Sequence, residues 1–389
     1  MSYEVFEFGI PTRIFSGVGA SSQVNDLLKT LGAHKVLVIT DPGIFDAGVT
    51  KRVTDGFANS IQFAVFKEVE PNPSIETVEK ATVFCREQAY DVLLAIGGGS
   101  AIDTAKSVAL LMTNPDPITK YEGFNMFSNQ PLPLIAIPTT AGTGSEVTRG
   151  QVLTDKKRKF KFGIGGIGLA PRYAILDPLV LASLPSAVAA TTGMDALTHA
   201  IEAFVSRRAS FFTDALALKA IELIGQNIRR FTYNPSSFEP AMAMQTGCTL
   251  AAVAFTYARV GNTHAMAHPL GGHYDLPHGL ANAILLPYVM EFNFPANLEK
   301  FRLISQSLGG NIGNITSREA ALRSVHVIKD LLLDLGISPT LKNTAAKEEG
   351  IRSMAEDAIK TGLTATNPRQ TTVDDIMGLY QKAFAGDLQ

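Results

Sequence analysis

The sequence predicts an α/β half built on a parallel sheet, followed by an all-helical half. Three observations carry that prediction. Up to about residue 178, short β-branched runs alternate with amphipathic segments and turn residues. After Pro185, Ala, Leu, Met and Glu dominate and β-branched clusters thin out, so the periodicity becomes helical. The 389-residue chain also exceeds the roughly 250 to 300 residues at which a single core stops growing.

Taken in order, HKVLVITD (34–41) reads as a buried parallel strand, IQFAVFKEV (61–69) as a second and YDVLLAIGGGS (90–100) as a third. Helical stretches near 45–59 and 74–89 separate them, as right-handed crossovers between parallel strands require. LPLIAIPTTAG (132–142) reads as a fourth buried strand, and GQVLTD and YAILDP add two strand-like pieces. In the second half, helical periodicity runs through 187–206, 210–230, 238–258, 298–308, 317–335, 346–361 and 372–385. The expected domains are therefore 1–184 and 185–389, meeting at the turn Leu184 to Ser186 without a flexible tether. There is no internal repeat and no low-complexity linker.

Composition narrows the functional classes. Hydrophobic residues make up 46% and charged residues 18%, with no apolar run of about 18 or more, so no membrane span is expected. A net charge of −2 and the lack of a large basic block argue against a nucleic-acid surface, because phosphate binding needs clustered Lys and Arg. The one basic run, Lys156 to Lys161, reads as a solvated hairpin. The start, MSYEVFEFGIPTRIF, lacks the basic region and apolar block of a signal peptide, so the mature chain is expected to begin near residue 1. Two cysteines, Cys85 and Cys248, lie far apart in apolar helical contexts, which argues against a disulfide framework and fits a reducing cytoplasm.

In the first half, AIGGGSAIDTAKSVALL sets three glycines between the end of a buried strand and the start of a helix. Backbone amides and the helix dipole at such a place can hold a pyrophosphate. Gly97, Gly98 and Gly99 allow close backbone approach, and Ser100 with Asp103 reads as an N-cap and N3 pair. The same loop would equally serve as a tight turn. Asp41, at the carboxyl end of the first strand, shifts the balance, because an acid there can bind a ribose diol and repel a 2′-phosphate; NAD is thus favoured over NADP. No GxGxxG is present, and the Gly-rich loop follows the third strand. A further loop, PTTAGTGSE (138–146), offers the hydroxyls and amides of Thr139, Thr140, Thr143 and Ser145.

In the second half, five of the seven histidines lie between Asp195 and His278. Asp195 and His199 stand four apart in a segment of good helix formers, and His264 and His268 repeat that spacing. Side chains at i and i+4 share one helical face and can converge on one cation. A carboxylate among Met194, Ala196, Leu197, Ala200 and Ile201 is costly to bury without a cation or a hydrogen-bond partner. Asp195, His199, His264 and His278 are therefore the expected ligands of a first-row divalent metal. Spacing leaves His268 and His273 open as further ligands, acid/base groups or supporting donors.

The segments GGGSAIDTAK, PTTAGTGSEVT, GMDALTHAIEAFVS and HAMAHPLGGHYDLPHGLANAILLP resemble the iron-dependent, group III alcohol dehydrogenases, in the same order and over nearly the whole chain. The resemblance implies a dehydroquinate synthase-like architecture, with a dinucleotide-binding α/β domain, a helical metal-binding domain and a cleft between them. It implies metal ligation by Asp195, His199, His264 and His278, with His268 close to the reacting carbon. For the cofactor it implies Asp41 at the adenine ribose, Asn72 near the adenine side, and Gly98, Gly99 and Ser100 at the pyrophosphate. Thr139, Thr140, Thr143 and Lys161 would line the nicotinamide end. It further implies a homodimer or larger homo-oligomer.

The expected reaction is reversible, NAD-dependent hydride transfer between a small alcohol or diol and its aldehyde or ketone. The metal would act as a Lewis acid and His268 as proton relay. Four protein ligands leave no vacancy on a tetrahedral zinc ion, so Fe²⁺ is favoured, with Zn²⁺ as the alternative occupant. Arg259, five residues before His264, and His273, where an apolar residue is expected, point to a more polar pocket and to a carboxylate or polyhydroxy substrate. The rivals are a maleylacetate-like oxo-acid reductase, a polyol dehydrogenase and a dehydroquinate synthase-like lyase. The last would need a basic cluster that the helical half lacks.

Overall fold

The computed structural model describes residues 6–158 and 160–388. Met1–Val5, at the start of the segment read for a leader, and Lys159 of the basic run lie outside the described residues. The chain divides into two compact units. The α/β unit comprises Gly9–Leu184 and Pro235–Gln245; the helical unit comprises residues 6–8, Pro185–Asn234 and the chain from Thr246 onward. Pro235–Gln245 is the departure from a simple division at residue 184. Gln245 Nε2 donates to the carbonyls of Pro138 (3.4 Å) and Asp177 (3.5 Å), tying this segment to the α/β unit.

In the α/β unit, strands β1 (Arg13–Ser16), β2 (Lys35–Ile39), β3 (Gln62–Phe66), β4 (Val92–Gly97), β5 (Gly123–Phe124), β6 (Leu134–Pro138), β7 (Gly150–Asp155), β8 (Phe160–Gly165) and β9 (Tyr173–Leu176) alternate with five helices. The helices are α1 (Val24–Thr30), α2 (Pro42–Asp46), α3 (Val49–Thr54), α4 (Ile75–Gln88) and α5 (Gly99–Leu111). Six strands form one parallel sheet in the order β1-β9-β6-β4-β2-β3, and β5, β8 and β7 form a smaller sheet. The central strands β4 and β6 are buried throughout, which explains their continuous apolar runs. Leu37, Ile39, Leu93 and Ala95 pack with Ala101, Ile102, Ala105 and Val108 of α5 in one core. The chain runs from β2 out to β3 and returns to β4 on the other side of β2, so the strand order reverses between β2 and β4. The carboxyl ends flanking that reversal carry Asp41 and the Gly-rich loop, the usual ligand position in such sheets.

The helical unit contains α6 (Ser186–Val205), α7 (Phe211–Tyr233), most of α8 (Phe238–Ala258), α9 (Asn262–Tyr274), α10 (His278–Asn293), α11 (Leu298–Ser307), α12 (Ser317–Asp334), α13 (Ile351–Lys360) and α14 (Val373–Ala385). α9 and α10, absent from the helical stretches read off the periodicity, continue through Pro269 and Pro287. Burial along nearly all of α10, from Ala281 to Glu291, removes the amphipathic signal and compensates the hydrogen bonds that proline forfeits. Among the described residues no helix is long and apolar enough to cross a membrane.

Candidate functional site

α6 has no internal proline and buries almost every residue from Gly193 to Val205, so its Asp195, His199 and Glu202 are held on one face within the core. α9 and α10 bring His264, His268 and His278 to the same place. One donor atom each from Asp195, His199 and His264 lies within 4.8 Å of the others, and all three residues are buried. His264 Nε2 stands 3.7 Å from Asp195 Oδ1, and His278 Nε2 stands 3.8 Å from it. The His199 and His264 rings stack at 4.5 Å, and the His278 ring lies 5.4 Å from His264. His278 is the outermost member, with its side chain 32% exposed against 4% for Asp195 and His264.

Two residues not singled out by their spacing complete the cage. Glu202 Oε2 accepts from His264 Nδ1 at 2.6 Å, and its other oxygen accepts from the Thr263 amide at 2.6 Å. A proton held on Nδ1 leaves the Nε2 lone pair of a neutral His264 directed at Asp195. That Nε2 is buried and has no hydrogen-bond partner, the state expected of an atom that ligates a cation. Asn282 Nδ2 donates to Asp195 Oδ1 (2.7 Å) and lies 3.1 Å from His278 Nε2, bracing the two. Glu202 was legible in principle, three residues after His199 on the same helical face; Asn282 follows His278 by one turn.

The electrostatics fit a cation. Burial opposes ionisation of Asp195, but His199 and His278, together with His264, outweigh it and hold the carboxyl well below the usual range. Burial likewise works against a charged His264, yet the neighbouring carboxylates of Asp195 and Glu202 raise it to about 9. Two buried carboxylates thus stabilise positive charge among three imidazoles, and this donor set suits a divalent ion of borderline softness.

His268 is half-buried on α9, its ring 5.6 Å from that of His278, beside the cage and outside the three-donor cluster. His273 is engaged elsewhere, since its Nε2 pairs with Asp357 at 2.9 Å on the exposed surface and joins α9 to α13. That pairing removes the expectation of a polar pocket from His273.

In the α/β unit, Asp41 is the N-cap of α2 and accepts from the Ile44 amide with Oδ1 (3.0 Å). Its Oδ2 faces Gly97, where an added Cβ would approach it to 3.4 Å. α5 begins at Gly99 with Gly98 as N-cap and no side-chain cap. The amides of its first turn, Ser100 among them, are open to an anion. The expected Ser100–Asp103 cap is therefore not formed. Asp103 accepts instead from Ser145 Oγ and from the Val152 amide (2.9 Å). A Cβ at Gly98 would meet Thr140 at 3.3 Å, and one at Gly99 would meet Thr143 at 2.8 Å. The glycines thus let the Thr139–Thr143 loop close over α5, and the Thr139 hydroxyl is buried without a partner. Glycines where a side chain would crowd the facing loop, an uncapped helix start and an acid at the switch point together fit a dinucleotide phosphate and ribose.

One part of the expected cofactor layout does not hold. Lys161 Nζ donates to Asn72 Oδ1 at 2.9 Å, and bonded residues cannot serve opposite ends of an extended dinucleotide. Asn72 also accepts from Thr154 Oγ1 through its carbonyl, which fixes it against β7. The basic run around Lys161 is largely paired: Lys156 with Glu70, and Arg158 with Asp155 and Glu122.

Comparison with known proteins places these features in a family context. Residues 11–178 match the iron-containing alcohol dehydrogenase family, and residues 189–384 match the C-terminal part of the Fe-containing alcohol dehydrogenase family. The chain is 40% identical over 387 residues to 1,3-propanediol dehydrogenase of Citrobacter freundii, covering 99% of this chain and 100% of the relative. It is 35% identical over 378 residues to the NAD-dependent methanol dehydrogenase of Bacillus methanolicus, covering 97% and 99%. The solved structure of a 1,3-propanediol oxidoreductase superposes with a TM-score of 0.96 at 38% identity, covering 98% of this chain and 100% of that one.

Proposed function

Because the chain belongs to the iron-containing alcohol dehydrogenase family, we propose that it catalyses reversible hydride transfer between a small alcohol or diol and NAD⁺, yielding the aldehyde or ketone. The protein is an oxidoreductase of the alcohol dehydrogenase type. The observation that carries the reading is the buried, partnerless Nε2 of His264 beside Asp195, with Glu202 holding the opposite ring nitrogen.

Asp195, His199, His264 and His278 would hold Fe²⁺, with Zn²⁺ as a competitor. When bound, the ion supplies Lewis-acid polarisation of the substrate oxygen and the nicotinamide accepts or delivers the hydride. Glu202 keeps His264 in the ligating tautomer, and Asn282 orients Asp195 and His278 through its amide. His268, close to the cage yet partly open, is the proposed proton relay: it takes the proton that the alcohol loses and returns it in the reverse direction. Gly98, Gly99 and Ser100 would seat the pyrophosphate on the start of α5, and Asp41 Oδ2 would accept from the adenine ribose. Thr139, Thr140 and Thr143 would close over the chain of phosphates toward the nicotinamide. The bonded pair Asn72 and Lys161 would contact one shared portion of the cofactor.

The test is metal analysis after anaerobic purification, paired with NADH absorbance assays on short alcohols and diols before and after chelation. The expected result is about one bound metal per cage, loss of turnover on its removal and recovery with Fe²⁺; full activity in metal-free protein would overturn the reading. We further propose a cytoplasmic homodimer or larger assembly. Two buried cysteines outside any disulfide support the compartment and the adjacent exposed side chains of Phe211 and Phe212 support the assembly, which light scattering tests.

A further inference from the structure

Between α13 and α14 the chain reads TNPRQTT over 366–372. Pro368 disfavours helical backbone at the residue before it, and Asn367 is extended at φ −60°, ψ 141°. This short segment bonds to all three helices that carry the cage, or to the residues that flank them. The Thr366 carbonyl accepts from the Arg207 amide (2.9 Å), just past α6, and the Thr366 hydroxyl donates to the Val260 carbonyl (2.6 Å), just before α9. Arg369 donates to the Phe292 carbonyl near the end of α10 (3.2 Å) and lies over the Phe292 ring. Thr371 Oγ1 accepts from Asn262 Nδ2 (2.9 Å) in the first turn of α9.

Asn367 is the centre of this contact, buried together with Asn262 and Asn293. It exchanges two bonds with Asn293: its Nδ2 donates to Asn293 Oδ1 (2.8 Å), and its Oδ1 accepts from Asn293 Nδ2 (2.9 Å). Its Nδ2 also donates to the Arg369 carbonyl (2.8 Å), and its Oδ1 also accepts from the Asn262 amide (3.4 Å). The side-chain amide is thus fully used. α9 begins at Gly261 without a side-chain cap of its own, so its first amides need acceptors from elsewhere. Asn367 Oδ1 serves Asn262, and Glu202 Oε1 serves Thr263 at 2.6 Å. Both oxygens lie against Gly261, where an added Cβ would meet Asn367 Oδ1 at 3.0 Å and Glu202 Oε1 at 3.3 Å. The next residue after Thr263 is His264, whose Nδ1 is held by the other oxygen of Glu202.

We propose that Asn367 is a positioning residue for the cage, fixing the start of α9 so that Glu202 and His264 stay in register with Asp195, and thereby setting the affinity for the divalent ion. The proposal rests on the metal-dependent dehydrogenase reading. With no donor or acceptor left over, Asn367 acts through α9 and not by touching ion or substrate. Its removal strands the buried Asn293 side chain and leaves the Asn262 amide without its acceptor. Regaining partners for them costs a shift of the first turn that carries His264.

Asn367→Ala is compared with the wild type, with Thr371→Val, and with Leu332→Ala, which opens a cavity in α12, a helix without a cage residue. Fe²⁺ affinity is measured anaerobically by competition with a chromophoric chelator, and separate samples are loaded with Co²⁺, whose visible absorption depends on coordination geometry. Asn367→Ala should lower Fe²⁺ affinity about tenfold or more and alter the Co²⁺ bands. Thr371→Val, which removes only the bond to the Asn262 side chain, should lower affinity about two- to threefold. Leu332→Ala should lower the melting temperature at least as far as Asn367→Ala and leave both metal readouts unaltered. In a Glu202→Gln background, Asn367→Ala should cost about threefold or less, because the two residues act through the same turn. Unaltered affinity and Co²⁺ bands in Asn367→Ala, an equal loss in Leu332→Ala, or the full loss persisting in the Glu202→Gln background would overturn the positioning role and leave the dehydrogenase reading intact. Should Asn367→Ala not fold, unaltered affinity in Thr371→Val would overturn it in the same way. A wild type that binds neither Fe²⁺ nor Co²⁺ would overturn both.

Discussion

At the level of single residues, the cage separates what spacing can show from what contact must show. Asp195 and His199 at i, i+4 were readable as one helical face, and so was the recurrence at His264 and His268. Which of the later histidines approach Asp195 was not readable, because that depends on how α9 and α10 pack against α6. His264 and His278 approach it, whereas His273 goes to Asp357. Glu202 governs the tautomer of His264 and is the residue whose change is most diagnostic. Glu202→Gln keeps the shape but weakens the hold on the Nδ1 proton. Metal affinity should fall about 10- to 100-fold, measured by competition with a chromophoric chelator. Unchanged affinity would assign Glu202 to packing alone.

At the level of elements, the Gly-rich loop was legible as a strand-to-helix turn, but the reason for its glycines was not. The Thr139–Thr143 loop presses on α5 from the end of β6, well downstream in the chain, and only the fold brings Thr143 to 2.8 Å from a Cβ at Gly99. Gly99→Ala should incur an overpacking cost of about 1–3 kcal/mol at this contact. Its readout is a rise of roughly tenfold in KM for NAD, relieved in part by Thr143→Ala; an unaltered KM would show that the loop yields freely. The same helix carries Lys106, fully buried, whose ammonium donates to Ser145 Oγ (2.9 Å), to the hydroxyl and carbonyl of Thr148 (both 3.1 Å) and to the Gly150 carbonyl (2.7 Å). With Asp103 it pins the start of β7 to α5. Burial lowers Lys106 from 10.5 to about 8, against the opposing pull of Asp103 and Glu146. Between pH 8 and 10.5 the folded chain gives up this proton before the unfolded chain does, so stability gains with rising pH; below pH 8 both states hold it and the contribution is flat. Relative to an Asp103→Asn/Lys106→Met double variant, the wild type should therefore gain about 1–2 kcal/mol between about pH 8 and 9.5. Denaturant unfolding at the two pH values measures it, and a constant difference would refute the assignment.

At the level of the whole molecule, two cores of different character each carry one part of the chemistry. The α/β unit offers glycine loops at a strand reversal, and the helical unit offers buried carboxylates and imidazoles. A cation that binds only the folded cage stabilises it by mass action, about 2.7 kcal/mol at a hundredfold excess over Kd. Chelation should therefore lower the melting temperature by roughly 3 °C, restored by Fe²⁺. Equal melting temperatures with the metal demonstrably removed would show that the cage is stable without it.

The α/β-then-helical order, the strand-end loops and the Asp/His pairs were all readable from the order of residues, because periodicity and spacing within one element encode them. Other features exist only once the chain is packed: α9 and α10 are helices despite their prolines, Asp103 braces β7 and does not cap α5, and Asn72 and Lys161 meet. Packing likewise selects which histidines join Asp195 and sets Glu202 and Asn282 to support them. Each of these depends on contact between segments far apart in the chain, where burial and the need to satisfy every polar group override local propensity.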